Sequence, residues 1–415
     1  MRKASLNAQI LLGASAGVLL GLGIPWLGAE SGISQTGLYL AELIGTLFID
    51  LLKMVLVPLV LTSIAVGVAN LRAHQQMHKV WKATLGFFVL SMALAITLGM
   101  TAAHLLRPGE GLQLEMFQDS VKDFQAKEMA PSEFVSHLLH SLFQNPVAAM
   151  AQSNILGVVV FSLLLGISLV VGGERYSNIL VLLQEVLELM LMLVGWIMRL
   201  APIGIMALLF KLAATQDTAL LAKLAEFLAM VIATTLLHGV VVLPLILYLV
   251  TGMSPLKFWR GAREALITAF ATSSSSATLP VTLRCVEQHL HVKPEIAGFV
   301  VPLGATLNMD GTALYEAAAA LFIANLAGIE LNLMQQMIIF ITAMLAAMGA
   351  PGIPSAGMVT MVVVLQSVGL PAQAIAVLLP VDRLLDTFRT AVNVEGDMIG
   401  SLVVQRLVKG APHES

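Results

Sequence analysis

Apolar runs of membrane-crossing length recur along the first 250 residues. They predict helices near 8–28, 37–69, 83–106, 145–172, 180–214 and 217–252. From about 256 the pattern changes, and small residues, prolines and polar clusters interrupt the apolar segments where a span should continue. Arg263-Glu264-Ala-Leu-Ile-Thr-Ala-Phe leads into Thr272-Ser273-Ser274-Ser275-Ser276-Ala277-Thr278-Leu279-Pro280, and a second apolar run ends at the charged stretch Arg284–Glu295. Too short for two full spans, residues 256–290 read as a re-entrant hairpin with a serine tip. A small-residue packing seam or a plain polar loop is the alternative. A similar unit recurs at 332–370, where Ala346-Ala347-Met348-Gly349-Ala350-Pro351-Gly352-Ile353-Pro354-Ser355-Ala356-Gly357 breaks an apolar stretch.

Each hairpin is followed by a helix with a polar interruption. After the first comes Asn308-Met309-Asp310-Gly311-Thr312, and after the second Asp386-Thr-Phe-Arg389-Thr390-Ala-Val-Asn393-Val-Glu-Gly-Asp397. At about 3.6 residues per turn, positions 386, 389, 390, 393 and 397 share one helix face. An ionised group near mid-bilayer costs at least about 2.5–3.5 kcal/mol, so such groups are rarely kept without a ligand, ion or partner. An internal Asp386/Arg389 salt bridge that only holds helices together is the plainer reading, but it leaves Asn393 and Asp397 unexplained. Hairpin-helix repeated twice is an internal repeat, and paired breaks in two halves point to a transporter's binding site. Carbonyls freed by glycine and proline, with the Asp310 and Asp397 carboxylates, suit sodium.

Composition agrees with that class. The 415 residues are 58% hydrophobic and 11% charged, with a mean hydropathy of +0.90, as expected of a polytopic helical membrane protein. A net charge of -3 without a basic domain argues against nucleic acid as a partner. The lone Cys285 excludes an internal disulfide and reads as apolar filler, and the dispersed histidines form no zinc motif. Arg2 and Lys3 precede a first helix that reads as retained rather than cleaved. Arg2, Lys3, Arg72, Lys79, Lys82, Arg175, Lys257, Arg260, Arg263, Arg406 and Lys409 all fall on one side, the cytoplasmic one, which places both termini inside. Residues 107–144, with six acidic residues between Glu110 and Glu133, belong outside.

Ser273-Ser-Ser-Ser-Ala-Thr-Leu-Pro280, Asn308-Met-Asp-Gly-Thr-Ala-Leu-Tyr-Glu316, Gly352-Ile-Pro-Ser-Ala-Gly357 and Asp386 through Asp397 together resemble the dicarboxylate/amino acid:cation symporters, the family of the excitatory amino acid transporters. The resemblance implies an all-α polytopic membrane protein with eight transmembrane helices, two re-entrant helical hairpins, inverted repeats and an elevator-type mechanism, assembled as a homotrimer in the plasma membrane. Scaffold helices would lie in 1–82 and 145–214. The transport unit would comprise helix three (83–106), helix six (217–252), hairpin one (256–290), broken helix seven (294–328), hairpin two as the gate (332–370) and helix eight (374–409).

The implied substrate is L-glutamate or L-aspartate. Asp386 would hold its ammonium and Arg389 its side-chain carboxylate, since arginine's planar fork fits a carboxylate bidentately. Ser274, Ser275, Thr312, Gly357, Thr390 and Asn393 would complete the shell. For sodium the resemblance implies Gly304, Asn308, Asn393 and Asp397 at one site, and Thr306, Met309 and the carbonyls of Ala347, Met348 and Ala350 at a second. Asp310 with Asn308 and Ser91 would form a third. Glu316 matches the animal transporters, where an acid at this place is tied to proton and potassium coupling.

Some positions depart from the family pattern. Ser91 is followed by Met92 where archaeal members have adjacent hydroxyl residues, and Ser273 and Thr387 stand where many members carry an arginine. Asp50 and Lys53 are spaced for a local pair, while Arg199 and His238 receive no role. Three other readings remain open: a proton-coupled glutamate/aspartate or C4-dicarboxylate symporter, an anion channel, and an intramembrane hydrolase using a tip serine. Against the last, no Gly-x-Ser-x-Gly element or nearby histidine accompanies the serines.

Overall fold

In a computed structural model, the described residues are 6–27, 31–69, 78–111, 140, 143–152, 155–215, 218–350, 352, 354–371 and 374–409. Most of them are helical, with no strand among them. Much of the acidic loop within 107–144, the amino-terminal Arg2 and Lys3, Arg72 and the Lys53 side chain lie outside the described residues.

The first helices are α1 (Leu6–Leu27), α2 (Gly32–Ala69), α3 (His78–Leu106), the short α4 (Pro146–Ala151), α5 (Ile155–Gly172) and α6 (Ser177–Thr215). The next span runs from α7 (Thr218–Leu237) through one π turn (His238–Val242) into α8 (Leu243–Thr251). Among the described residues, three stretches are long and apolar enough to cross a membrane by length and composition: Lys79–Leu106, Val160–Ile197 and Ala222–Thr251.

α1, α2, α5 and α6 pack mainly on one another. Gly13, Gly17 and Gly21, four residues apart on α1, make the closest approach. A Cβ on Gly17 would stand 2.3 Å from the Met206 carbonyl oxygen of α6, and Gly13 meets the Pro202 carbonyl at the same distance. Without a solvent to drive apolar helices together, such small-residue stripes gain contact by letting backbones touch. Leu19, Leu47, Ile167, Leu182 and Leu189 on the same four helices stay exposed.

The remaining chain contains α9 (Pro255–Thr272) and α10 (Ser275–Arg284), then α11 (Pro294–Leu307) and α12 (Asp310–Ala327). It continues with α13 (Leu333–Met348), α14 (Ala356–Ser367) and the long α15 (Ile375–Lys409). α9 packs on α10, and α13 on α14, so each pair forms a helix-turn-helix unit. Capping explains where these helices begin: Ser254 accepts from Lys257 N ahead of Pro255, Ser274 accepts from Ala277 N, and Asn332 with Gln335 forms a capping box. Both turns pass through a left-handed serine, Ser273 at φ 51° and Ser355 at φ 60°.

The two polar stretches differ in backbone. Between α11 and α12, Asn308 and Met309 leave the helical region at φ -109° and -120°, freeing main-chain groups. The second stretch, in contrast, lies inside the unbroken α15, so only its side chains interrupt the apolar pattern. α15 lies at the centre of this half, touching α3, α7, α8, α9, α11, α12 and α14.

Gly17→Val is expected to overpack the α1/α6 contact and cost about 1–3 kcal/mol. Gly23→Val should be close to neutral, because nothing lies within 4 Å of where its Cβ would stand. Thermal midpoints of the two purified variants in detergent check this ordering.

Candidate functional site

Along α15, Asp382, Arg383, Asp386 and Arg389 recur at three- and four-residue steps and form a buried ring of alternating charge. Arg389 Nη2 donates to Asp382 Oδ1 (2.7 Å) and to Asp386 Oδ1 (2.9 Å), while Arg383 Nη1 donates to Asp386 Oδ2 (3.2 Å). The backbone N–H of Ser355, at the start of α14, reaches the same Asp386 Oδ2 at 2.9 Å. Two carboxylates thus balance two guanidiniums, as burial demands.

The balance in charge is not a balance in hydrogen bonds. Arg389 is only 1% exposed, yet its Nε and Nη1 meet no acceptor. The face of Tyr315 lies under the guanidinium carbon, 4.1 Å from the ring centroid, and a Cβ on Gly357 would stand 3.4 Å from Nη1. A buried guanidinium with two unused donors is shaped to receive a carboxylate.

Thr312, Thr390 and Asn393 join the same buried region. Asn393 accepts from Gly311 N (2.8 Å) and donates to Thr312 Oγ1 (3.3 Å), so the α12 backbone is pinned against α15. Gly311 permits this, because a Cβ there would lie 2.7 Å from the Arg389 Cα. Ser274 Oγ donates to the Gly352 carbonyl (2.7 Å), which also accepts from Ser276 N (3.1 Å), so the tips of the two helix pairs are latched together. Ser275 is buried at the first turn of α10, with no hydrogen bond from its own side chain to the ring residues. Beside Ser355, Asp382 and Arg383 is a void of about 10 Å³, whose far side is Ile10, Phe48 and Ile205 of α1, α2 and α6. A space that small holds no more than a water.

Two carboxylates lie deeper. Asp397 is 1% exposed and accepts from Asn308 Nδ2 (3.1 Å), with no cationic side chain paired to it among the described residues. A Cβ on Gly304 would stand 2.3 Å from Asp397 Oδ1, so glycine lets the carboxylate approach the α11 backbone near its broken end. Such an unpaired buried carboxylate beside a break in the helix fits a hard cation. Asp310 adjoins Asn308 and Ser91: Ser91 Oγ lies 3.0 Å from Asp310 Oδ1 and 3.2 Å from Asn308 Oδ1.

For the second predicted cation set, Met309 occupies the break, whereas Thr306 Oγ1 donates to its own helix at Leu303 O (3.0 Å). Ala347 O accepts from Ala350 N (3.1 Å), and Met348 ends α13. Nothing here draws these carbonyls onto Thr306, although α11 and α13 meet. Glu316 is fully buried. Its Oε1 accepts from Thr360 Oγ1 of α14, and its Oε2 has no partner.

Sequence reasoning missed Asp382, Arg383, Tyr315 and His238. The first two are legible as the same helical stripe continued one turn toward the amino terminus. Tyr315 gives no signal, since its partner is reached only by folding. His238, left without a role, is completely buried with Nε2 3.0 Å from Asp310 Oδ2.

Residues 6–407 match the sodium:dicarboxylate symporter family. The chain belongs to that family. Excitatory amino acid transporter 3 of Homo sapiens is 34% identical over 97% of this chain and 86% of its own length. A putative sodium-dependent excitatory amino acid transporter of Caenorhabditis elegans is 33% identical over 98% and 91% of the two chains. The neutral amino acid transporter B(0) of Homo sapiens is 35% identical over 95% and 78%. This family member is a multi-pass helical membrane protein, in keeping with its apolar helices.

Asp397→Asn preserves shape while removing the unpaired charge. Exchanging choline for sodium is expected to raise the thermal midpoint of the wild-type protein, as any ligand of the folded state does, and to raise the Asp397→Asn midpoint by less. Equal sodium-dependent shifts in both proteins would contradict a cation at Asp397.

Proposed function

We propose that this protein is a symporter that imports L-glutamate or L-aspartate with sodium. The observation that carries the reading is the unused donors of Arg389, buried beside Asp386, with Nη1 facing Gly357 at the start of α14. An acidic amino acid offers a matching set of charges. Its side-chain carboxylate takes the free Nη1 of Arg389, and its ammonium takes Asp386 in exchange for Arg383. The main-chain carboxylate lies between the tips, against the start of α14, which has no side-chain cap. The names of the excitatory relatives support an acidic substrate, and the neutral relative indicates that the same framework serves uncharged amino acids too.

Sodium binds at Asp397, Asn308, Asn393 and Gly304, with the Asp310 cluster as a further site. Glu316, tied to α14 through Thr360, is the candidate for proton and potassium coupling. The protein works as a homotrimer in the plasma membrane with both termini cytoplasmic. α1, α2, α5 and α6 act as the scaffold, and the rest moves as an elevator, with the α13–α14 pair as its gate. Supporting this division, the void at the boundary is walled by Ile10, Phe48 and Ile205 on one side and by the ring residues on the other.

Arg389→Cys tests the substrate assignment. Removing one partner of a buried ion pair costs about 3–5 kcal/mol, so acidic uptake into liposomes should fall more than a hundredfold while uptake of a neutral amino acid appears. Unchanged glutamate and aspartate uptake would overturn the reading. In the wild-type protein, uptake driven by a proton gradient without sodium would overturn the sodium sites and leave the substrate assignment standing.

A further inference from the structure

The Asp310 region holds an imbalance. Ser91 has one hydroxyl proton, yet three oxygens lie within hydrogen-bond distance of its Oγ: Asp310 Oδ1 at 3.0 Å, Asn308 Oδ1 at 3.2 Å and Phe88 O at 3.2 Å. All three side chains in this cluster are fully buried. Asn308 Nδ2 is turned away to Asp397, so the amide brings no donor to the cluster. Such an excess of converging oxygens calls for a cation.

His238 decides how Asp310 faces that cluster. It begins the π turn that interrupts the span from α7 to α8, an irregularity often found at functional sites. A carboxylate accepts, so Nε2 carries the proton shared with Asp310 Oδ2, while Nδ1 meets no partner. Glu395 is the other acid at this turn, its Oε2 lying 2.9 Å from a Cβ placed on Gly239, but Trp259 Nε1 donates to its Oε1 (2.9 Å). We infer that His238 is a positioning residue for a sodium site formed by Asp310 Oδ1, Asn308 Oδ1 and Ser91 Oγ. It occupies Oδ2 with a fixed N–H and so presents Oδ1 to the ion. Met92, beside Ser91, is apolar core and contributes no second hydroxyl, which makes the orientation of Asp310 matter more.

The inference rests on the sodium-coupled reading above. Its test compares wild-type, His238→Ala and His238→Gln proteins, reading the sodium concentration for half-maximal uptake, the sodium-dependent shift in thermal midpoint, and the substrate KM at saturating sodium. Loss of an outer hydrogen bond to a metal ligand typically lowers affinity about 10–100-fold. His238→Ala should therefore raise the half-maximal sodium concentration at least about tenfold and shrink the thermal shift, with substrate KM at saturating sodium little changed. His238→Gln, whose amide N–H can stand in for Nε2–H, should recover most of both. A His238→Ala protein with wild-type sodium dependence, or a His238→Gln protein as impaired as the alanine variant, overturns the proposal. If His238→Ala does not fold, the glutamine variant alone decides. Absence of any sodium effect on the wild-type protein instead removes the sodium-coupled reading, and this inference with it.

Discussion

Charge compensation in an apolar interior is the constraint on which the structure depends. Asp382, Arg383, Asp386, Arg389, Asp397 and Asp310 are all buried. Taking an ion out of water costs several kcal/mol that only close, well-directed partners offset. At the Asp382–Arg389 ring the partners are on the same helix, so α15 carries its own neutrality. At Asp397 and Asp310 they are not, and these are the places where a mobile cation has a physical reason to bind.

The same constraint governs the backbone. Main-chain groups can be left free at membrane depth only where they are buried or line a cavity. The break at Asn308-Met309 lies between Asp397 and Asp310, next to the two acids that no cationic side chain of α15 neutralises. The serine turns at Ser273 and Ser355 turn each helix pair back on itself, and both lie against the other tip or the ring. Ser274 and Ser276 bond the Gly352 carbonyl while Ser355 N bonds Asp386, so the turn between α13 and α14 is tied both to the start of α10 and to the charge ring.

Legibility follows the range of the interaction. Gly13-x3-Gly17-x3-Gly21 and the Asp382-to-Asp397 stripe are local patterns, present in the sequence at fixed spacing. Apolar flanks draw the eye to the stripe only from Asp386 onward, although the periodicity continues back through Arg383 and Asp382. The interrupted segments are recognisable as well, but composition does not separate a backbone break from a run of polar side chains. Asn308-Met309 is the former and α15 the latter, because Asn393 and Gly311 let α12 dock on an unbroken helix.

The sequence alone determined a polytopic helical membrane protein with buried charges at Asp310, Asp386, Arg389 and Asp397, since hydropathy and helical periodicity are properties of neighbouring residues. Tertiary structure decided which charges are satisfied. His238 lies 72 residues from Asp310, Ser91 lies 219 from it, and Tyr315 comes under Arg389 from another helix. Hydrogen bonds at about 3 Å between residues so far apart depend on how helices pack, and no spacing along the chain encodes that.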